Sequence, residues 1–354
     1  MNILYIGGES ADFVIHLCNK LSELDNHITC IIQNTDCYER TKINIKVAAL
    51  PPRDIYTFPK DLSYLDKFIG DKKIDYVCGS HIPVIPYVAS VATYLKVPFG
   101  MLILDIPTHL IINDKRRQAD WGIWLNLLEL AKDILFINKI NRDEYERLTR
   151  HKIPDKNIIT YAINQIPKYY KAGLNKNGKN IVTCHRLSPT KNAIFVTEAL
   201  KHLPFIIDYT AIGRDFGELE NIKNNCKKYG IPFKHYKNIT DSEKYDIISN
   251  SLALIYAEDS KYYGSGLSPW EAMYVGIPAI VPRLESKTCD YGEHAFYYEA
   301  GNPKSLADVI INIQNMDKDI LNKKLKLSAE YCKKKANFKT MAKNLNNIIK
   351  QHED

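Results

Sequence analysis

Asn180-Ile-Val-Thr-Cys-His-Arg-Leu-Ser-Pro-Thr-Lys-Asn192 passes from a short apolar, β-rich run into a turn and then into a helix start. Ser188 stands as cap and Pro189 at the first helical position. A strand that delivers the chain straight to a helix N-terminus is the repeating step of a parallel sheet with crossover helices. The same alternation extends in both directions. Upstream, strands are predicted at Asn2–Ile6, Ile28–Ile32, Tyr76–Cys78, Phe99–Leu104, Ile134–Ile137 and Ile158–Tyr161. They are separated by segments such as 12–21, whose apolar residues fall on one helical face. Downstream, Phe205–Ile212, Leu252–Tyr256, Ala279–Pro282 and Ala295–Tyr298 read as strands, each followed by a helical run. The class is therefore α/β, in two Rossmann-like halves.

The periodicity stops over 165–179, where Pro167, Gly173 and Gly178 lie among lysines and asparagines, so this stretch reads as a linker. The expected organisation is an N-terminal domain over 1–164, the linker 165–179, a second domain over 180–335 and a C-terminal helix over 336–354. A chain of 354 residues has the length for two domains. Its 45% hydrophobic and 25% charged content excludes a disordered adaptor or a fibrous repeat. A formal charge of +7 favours anionic partners: phosphorylated metabolites, nucleic acid or an acidic membrane face. The eight cysteines show no metal-ligand spacing, which suits a reducing cytoplasm. Met1-Asn-Ile-Leu-Tyr-Ile6 lacks a basic flank and reads as a buried strand, not a signal peptide. No run approaches the roughly 20 apolar residues of a membrane span.

Ligands of open parallel sheets bind at the carboxyl ends of the strands. Arg186 and Lys191 stand at such an end, beside a helix N-terminus that is itself an anion site. A guanidinium fork and a point charge together suit a diphosphate, although two solvated surface cations would show the same spacing. A second segment, Tyr263-Gly-Ser-Gly-Leu-Ser-Pro-Trp-Glu-Ala-Met-Tyr-Val-Gly-Ile-Pro278, brings Gly264, Ser265, Gly266 and Leu267 before another helix. Glycines there let backbone N–H groups approach phosphate or sugar oxygens. Glu271 admits two roles: accepting from both ribose hydroxyls, or closing a capping box with Ser268.

Together these segments resemble the retaining GT-B glycosyltransferases of family 4, the glycosyltransferase group 1 type. The family's G-R-L-x-x-x-K-G/N motif is similar to His185-Arg-Leu-Ser-Pro-Thr-Lys-Asn192, with His185 in place of the glycine. Its E-G-F-G-L-P-x-x-E-A-M-A-x-G-x-P is similar to 263–278, with Glu271 matching the ribose-binding acid and Tyr263 standing where a donor-sugar acid would be. Gly7-Gly8 looks like the glycine loop after the first strand, and Ser80-His81 like the loop that begins the acceptor side. Val97 to Pro107 is similar to P-x-V-x-T-x-H-D, with Asp105 at the aspartate and Leu104 at the histidine; His109 follows nearby.

The resemblance implies two Rossmann-like domains facing each other across a cleft that holds the active site, with C-terminal helices packing back toward the N-terminal domain. It implies transfer from a nucleotide-diphosphate sugar to an acceptor hydroxyl with retention, no metal and no cofactor. Asp105, His109, Arg186 and Lys191 would be catalytic. Gly7, Gly8, Gly213, Gly264, Ser265, Gly266, Leu267 and Glu271 would bind the donor, and Ser80 and His81 would face the acceptor. A GT-B nucleotide-sugar epimerase or a non-catalytic sugar-nucleotide-binding protein would share these grips. Glycan, lipid-linked and small-molecule acceptors all fit, whereas no recognition helix supports nucleic acid. Lys115-Arg-Arg117 followed by Trp121 and Trp124 suits a cytoplasmic protein touching the anionic inner face of a membrane, but the cluster is shorter than the 4–8 cations of a polybasic site, and an ordinary helix with tryptophan in the core is the plainer reading. Asp317-Lys-Asp319, the one D-x-D, lies far from any strand end and is read as chance.

Overall fold

Apolar residues fill both faces of the first strand: Ile3 and Tyr5 pack into one core, Leu4 and Ile6 into another. This two-sided burial is what a parallel strand covered by helices on both faces requires. The computed structural model describes residues 1–8, 11–33, 45–50, 52–104, 115–159, 162–163, 178, 180–258 and 266–352. The chain divides into two units, residues 1–164 with 336–354, and residues 165–335.

The first unit holds β1 (Asn2–Gly7), β2 (His27–Gln33), β3 (Lys46–Leu50), β4 (Tyr76–Ser80), β5 (Phe99–Ile103) and β6 (Asp133–Phe136). They form one parallel sheet in the order β3-β2-β1-β4-β5-β6. Helix Phe338–Ile349, at the far end of the sequence, closes one face by packing on helix Ala11–Ser22. Phe13 and Phe338 meet with ring centroids 5.4 Å apart, and Asn26 donates to Asn346 at 2.8 Å.

The second unit holds β7 (Asn180–Cys184), β8 (Asp208–Ile212), β9 (Phe233–Tyr236), β10 (Ala253–Ile255), β11 (Ala279–Pro282) and β12 (Phe296–Tyr298). The parallel order β12-β11-β10-β7-β8-β9 repeats the pattern of the first sheet.

Two strands, β3 and β9, escape the reading of the sequence. Both are edge strands that are only part-buried, so neither needs the continuous apolar run that marks a central strand. Of the strand expected at Ile158–Tyr161, Ile158 forms a bridge with Phe136, and residues 160 and 161 lie outside the described residues. The expected linker lies almost wholly outside the described residues. No helix among the described residues is long and apolar enough to cross a membrane. Trp124 is buried in the core beneath the first sheet, and Trp121 packs edge-on against it at 6.4 Å. The tryptophan half of the membrane expectation therefore resolves into core packing.

Candidate functional site

The carboxyl ends of β7 and β10 and the start of helix Leu267–Val275 meet around one side chain, Tyr256. Its backbone N–H donates to Ile280 at 2.9 Å, continuing the β10 ladder and fixing the ring at the strand end. His185 lies edge-on to this ring at 5.9 Å, and Lys191 Nζ is 5.4 Å from its centroid. A Cβ on Gly266 would come within 2.5 Å of the ring, so a side chain there would have to displace Tyr256.

Lys191 reaches this centre from a 3₁₀ turn, Pro189–Lys191, that follows Ser188. Asn192, left-handed at φ 51°, then hands the chain to helix Ala193–Leu200, so the helix proper starts later than the Ser188-Pro189 signal suggested. Lys191 Nζ donates to Glu258 Oε2 at 2.7 Å and to the Tyr256 hydroxyl at 3.0 Å, and Tyr256 in turn donates to the same carboxylate. Glu258 is fully buried, and its Oε1 has no hydrogen-bond partner among the described residues. An orphaned buried carboxylate oxygen is costly unless a ligand donates to it. Lys287, from helix Glu285–Tyr291, is also fully buried and places Nζ 5.1 Å from the Tyr256 centroid.

His185 donates its Nδ1–H to the Arg186 carbonyl at 3.0 Å if it is neutral, which leaves Nε2 as a bare acceptor. Burial, with the Lys191 charge adding to it, pushes its pKa down to about 4, so the ring is neutral at pH 7. Nε2 is buried with no partner among the described residues. Arg186 takes a different course from Lys191: it is exposed, its guanidinium 5.7 Å from the Phe216 ring, and it forms no ion pair among the described residues. Gly213 serves the backbone at this point. At φ 146° it lets β8 pass so close to His185 that a Cβ would lie 2.0 Å from the His185 carbonyl oxygen.

Glu271 settles one alternative left open by the sequence. The cap of helix Leu267–Val275 is Gly266, and the Ser268 hydroxyl donates to the Cys184 carbonyl, so no capping box joins Ser268 and Glu271. The box that does form is Thr240 with Glu243, on helix Asp241–Ser249. Glu271 instead accepts at Oε1 from Lys244 at 3.1 Å and from the Tyr245 hydroxyl at 3.0 Å. Burial works against the Lys244 charge, but Glu271, with smaller help from Asp241, outweighs it and holds the ammonium well above its ordinary pKa.

In the first unit, Gly8 N–H donates to the Ser80 carbonyl at 3.2 Å, which joins the ends of β1 and β4 and brings Gly7, Gly8, Ser80 and His81 together. Tyr56 and Gln33 both donate to the Gly8 carbonyl, at 2.5 and 2.7 Å. Ser80 is fully buried and His81 is held at φ 76°. Asp105, His109, Gly264 and Ser265 lie outside the described residues. Asp317 caps helix Lys318–Lys335 by accepting from the N–H groups of Asp319 and Ile320, which accounts for the D-x-D. Sequence reasoning missed Tyr256, Glu258, Lys244, Tyr245 and Lys287. Tyr256 and Glu258 carried a usable signal, a polar pair directly after an apolar strand; Lys287 carried none.

No curated protein sequence matches the chain. Among solved structures, Anabaena HepE in complex with UDP-glucose matches with a TM-score of 0.77 at 14% identity, covering 99% of this chain and 100% of that one. A sucrose-phosphate synthase from Thermosynechococcus elongatus gives 0.75 at 14%, covering 99% and 98%. A glycosyltransferase from Rickettsia africae gives 0.71 at 15%, also covering 99% and 98%. At these identities the likeness is one of fold, the GT-B arrangement of two Rossmann-like units. Residues 165–346 match the family model of glycosyl transferases group 1. That region is more than half of the chain and carries every residue of the Tyr256-centred cluster, and the protein belongs to the glycosyl transferases group 1 family.

Proposed function

We propose that the protein transfers a sugar from a nucleotide-diphosphate sugar to an acceptor hydroxyl, with retention of the anomeric configuration and without a metal. The observation that carries this reading is the convergence of Lys191, Glu258 and Gly266 on Tyr256 at the strand ends of the second sheet. Lys191, with Arg186 beside it and the first N–H groups of helix Leu267–Val275, would stabilise the charge that develops on the departing diphosphate, the largest need of such a transfer. Glu271 would accept from the ribose hydroxyls.

In the step itself the bond from the anomeric carbon to the diphosphate oxygen breaks, and its electron pair goes to the phosphate. The acceptor hydroxyl forms the new bond on the same face and passes its proton to that phosphate. Asp105 or His109 would orient the donor sugar, with Ser80 and His81 toward the acceptor. UDP and UDP-glucose, the ligands of the Anabaena HepE structures, head the panel of donors to try.

A thermal-shift screen against nucleotides and nucleotide sugars tests the reading, since a ligand at 100 times its Kd adds about 2.7 kcal/mol. A stabilising nucleotide sugar, turned over in excess chelator to a product whose NMR shows the donor's configuration, is the expected result. An inverted linkage or silence across the panel contradicts it.

A further inference from the structure

The first unit holds a cavity of about 730 Å³ at the carboxyl ends of its strands. Leu50, the last residue of β3, and Tyr87, on the helix Ile85–Leu95 that follows β4, stand on its wall. So does most of the segment 54–61, which has Tyr56 in its midst. Tyr56 donates to the Gly8 carbonyl and its ring meets His81 at 6.3 Å, which ties this segment to the Gly8, Ser80 and His81 group. The volume is that of a small-molecule site, roughly 300–1,000 Å³, and such sites are apolar walls with a few placed polar groups. Two of those groups here are Tyr64 and Tyr87. Both hydroxyl oxygens are buried, and neither has a hydrogen-bond partner among the described residues. A buried hydroxyl is costly until something pairs with it.

Resting on the sugar-transfer reading above, we propose that this cavity binds the acceptor, and that the acceptor is a neutral saccharide whose hydroxyls pair with Tyr64 and Tyr87 and whose C–H face packs on Phe58. A phenolic hydroxyl both donates and accepts, as a sugar hydroxyl does. Burial pushes the Tyr64 pKa up to about 12, so its proton is there to donate at neutral pH. Phe58, 53% exposed on the same wall, supplies the apolar ring that a sugar's C–H face covers. An anionic ligand would call for guanidinium forks or helix N–H groups, whereas this wall presents Asp54 and Asp61 with Lys60. Asp61 is already engaged by the Ser63 N–H at 2.8 Å and the Ser63 hydroxyl at 2.9 Å.

Saturation-transfer NMR on the full chain reads this directly, with the methyl glycosides of glucose, galactose, mannose and N-acetylglucosamine and with lactose and cellobiose as probes. The wild type binds at least one of them. Tyr64→Phe and Tyr87→Phe each bind that probe roughly tenfold more weakly. Both keep or raise the melting temperature, because each removes a buried hydroxyl that the free protein leaves unpaired. Phe58→Ala, at an exposed position, weakens the same probe without disturbing the core. UDP, ADP and GDP titrated into the same wild-type protein keep the outcomes apart. A wild type that binds a nucleotide and none of the saccharides overturns the role of the cavity while the transferase reading stands. A saccharide held equally by the wild type and all three variants does the same, as does glycerol phosphate bound in its place. A wild type that binds none of the nucleotides overturns the transferase reading, and the acceptor role of the cavity with it.

Discussion

Two lysine–glutamate–tyrosine triads stand in the second unit, and they differ in one additional charge. Lys191, Glu258 and Tyr256 are joined by Lys287; Lys244, Glu271 and Tyr245 are joined by Asp241, 3.1 Å from Lys244. Among the described residues, the first cluster brings two lysines to the Tyr256 ring beside the buried Glu258, and the second brings two carboxylates to Lys244. Their titrations diverge accordingly: Lys287 is lowered to about 8, and Lys244 is held well above the ordinary lysine value. Lysines beside a helix start suit a diphosphate, and a buried carboxylate suits hydroxyl donors. On the function proposed above, the same three residue types would divide the donor between them, its leaving group to one triad and its ribose to the other.

The largest expected effect falls on the Lys191 triad. Lys191→Met should lower transfer by about 10²–10³, the loss typical of removing one preorganised charge-stabilising donor, with the melting temperature nearly kept because Lys287 still faces Glu258. Initial rates at saturating donor check this. Arg186→Ala should act in the same direction and less strongly, since its guanidinium is already solvated.

The Glu271 triad should respond first in stability. Glu271→Ala leaves the part-buried Lys244 with the exposed Asp241 as its one carboxylate among the described residues and should cost roughly 3 kcal/mol, the low end for breaking a buried pair. Glu271→Gln keeps an acceptor for Tyr245 and should fall between. Denaturant melts of the three proteins decide it; equal stability would mean that Lys244 does not depend on Glu271.

A smaller effect concerns His185, which belongs to the Lys191 cluster and is neutral. Its folded pKa, about 4, lies below the ordinary 6.5, so between these values the unfolded chain binds more protons. Stability then rises with pH across that window and is lost as pH falls from 6.5 toward 4. The wild type should lose roughly 1–2 kcal/mol more than His185→Asn between pH 7 and 4.5. Parallel losses would place the ring in solvent.

Much of this architecture was legible in the chain because buried strands must be apolar on both faces. Asn2–Ile6, Asn180–Cys184 and Ala279–Pro282 announce themselves for that reason, while the edge strands Lys46–Leu50 and Phe233–Tyr236 do not. Lys191 was legible through its place after a strand and before a helix. The capping box at Ser268 was a plausible local fit that a longer-range bond, from Ser268 to the Cys184 carbonyl, replaced. Lys287 was not legible: its partner Glu258 lies on another element, and burial of a lysine depends on charges that only the fold brings near.

Calorimetry with one nucleoside diphosphate, its 2′,3′-dideoxy analogue and inorganic pyrophosphate, on the wild type, Lys191→Met and Glu271→Gln, tests the division of labour most directly. The account predicts that Lys191→Met weakens all three ligands together and still prefers the diphosphate to its dideoxy analogue. Glu271→Gln should bind pyrophosphate like the wild type and lose most of that preference, a change of about tenfold or more. If Glu271→Gln discriminates as well as the wild type, or Lys191→Met binds pyrophosphate undiminished, the two triads do not divide the donor.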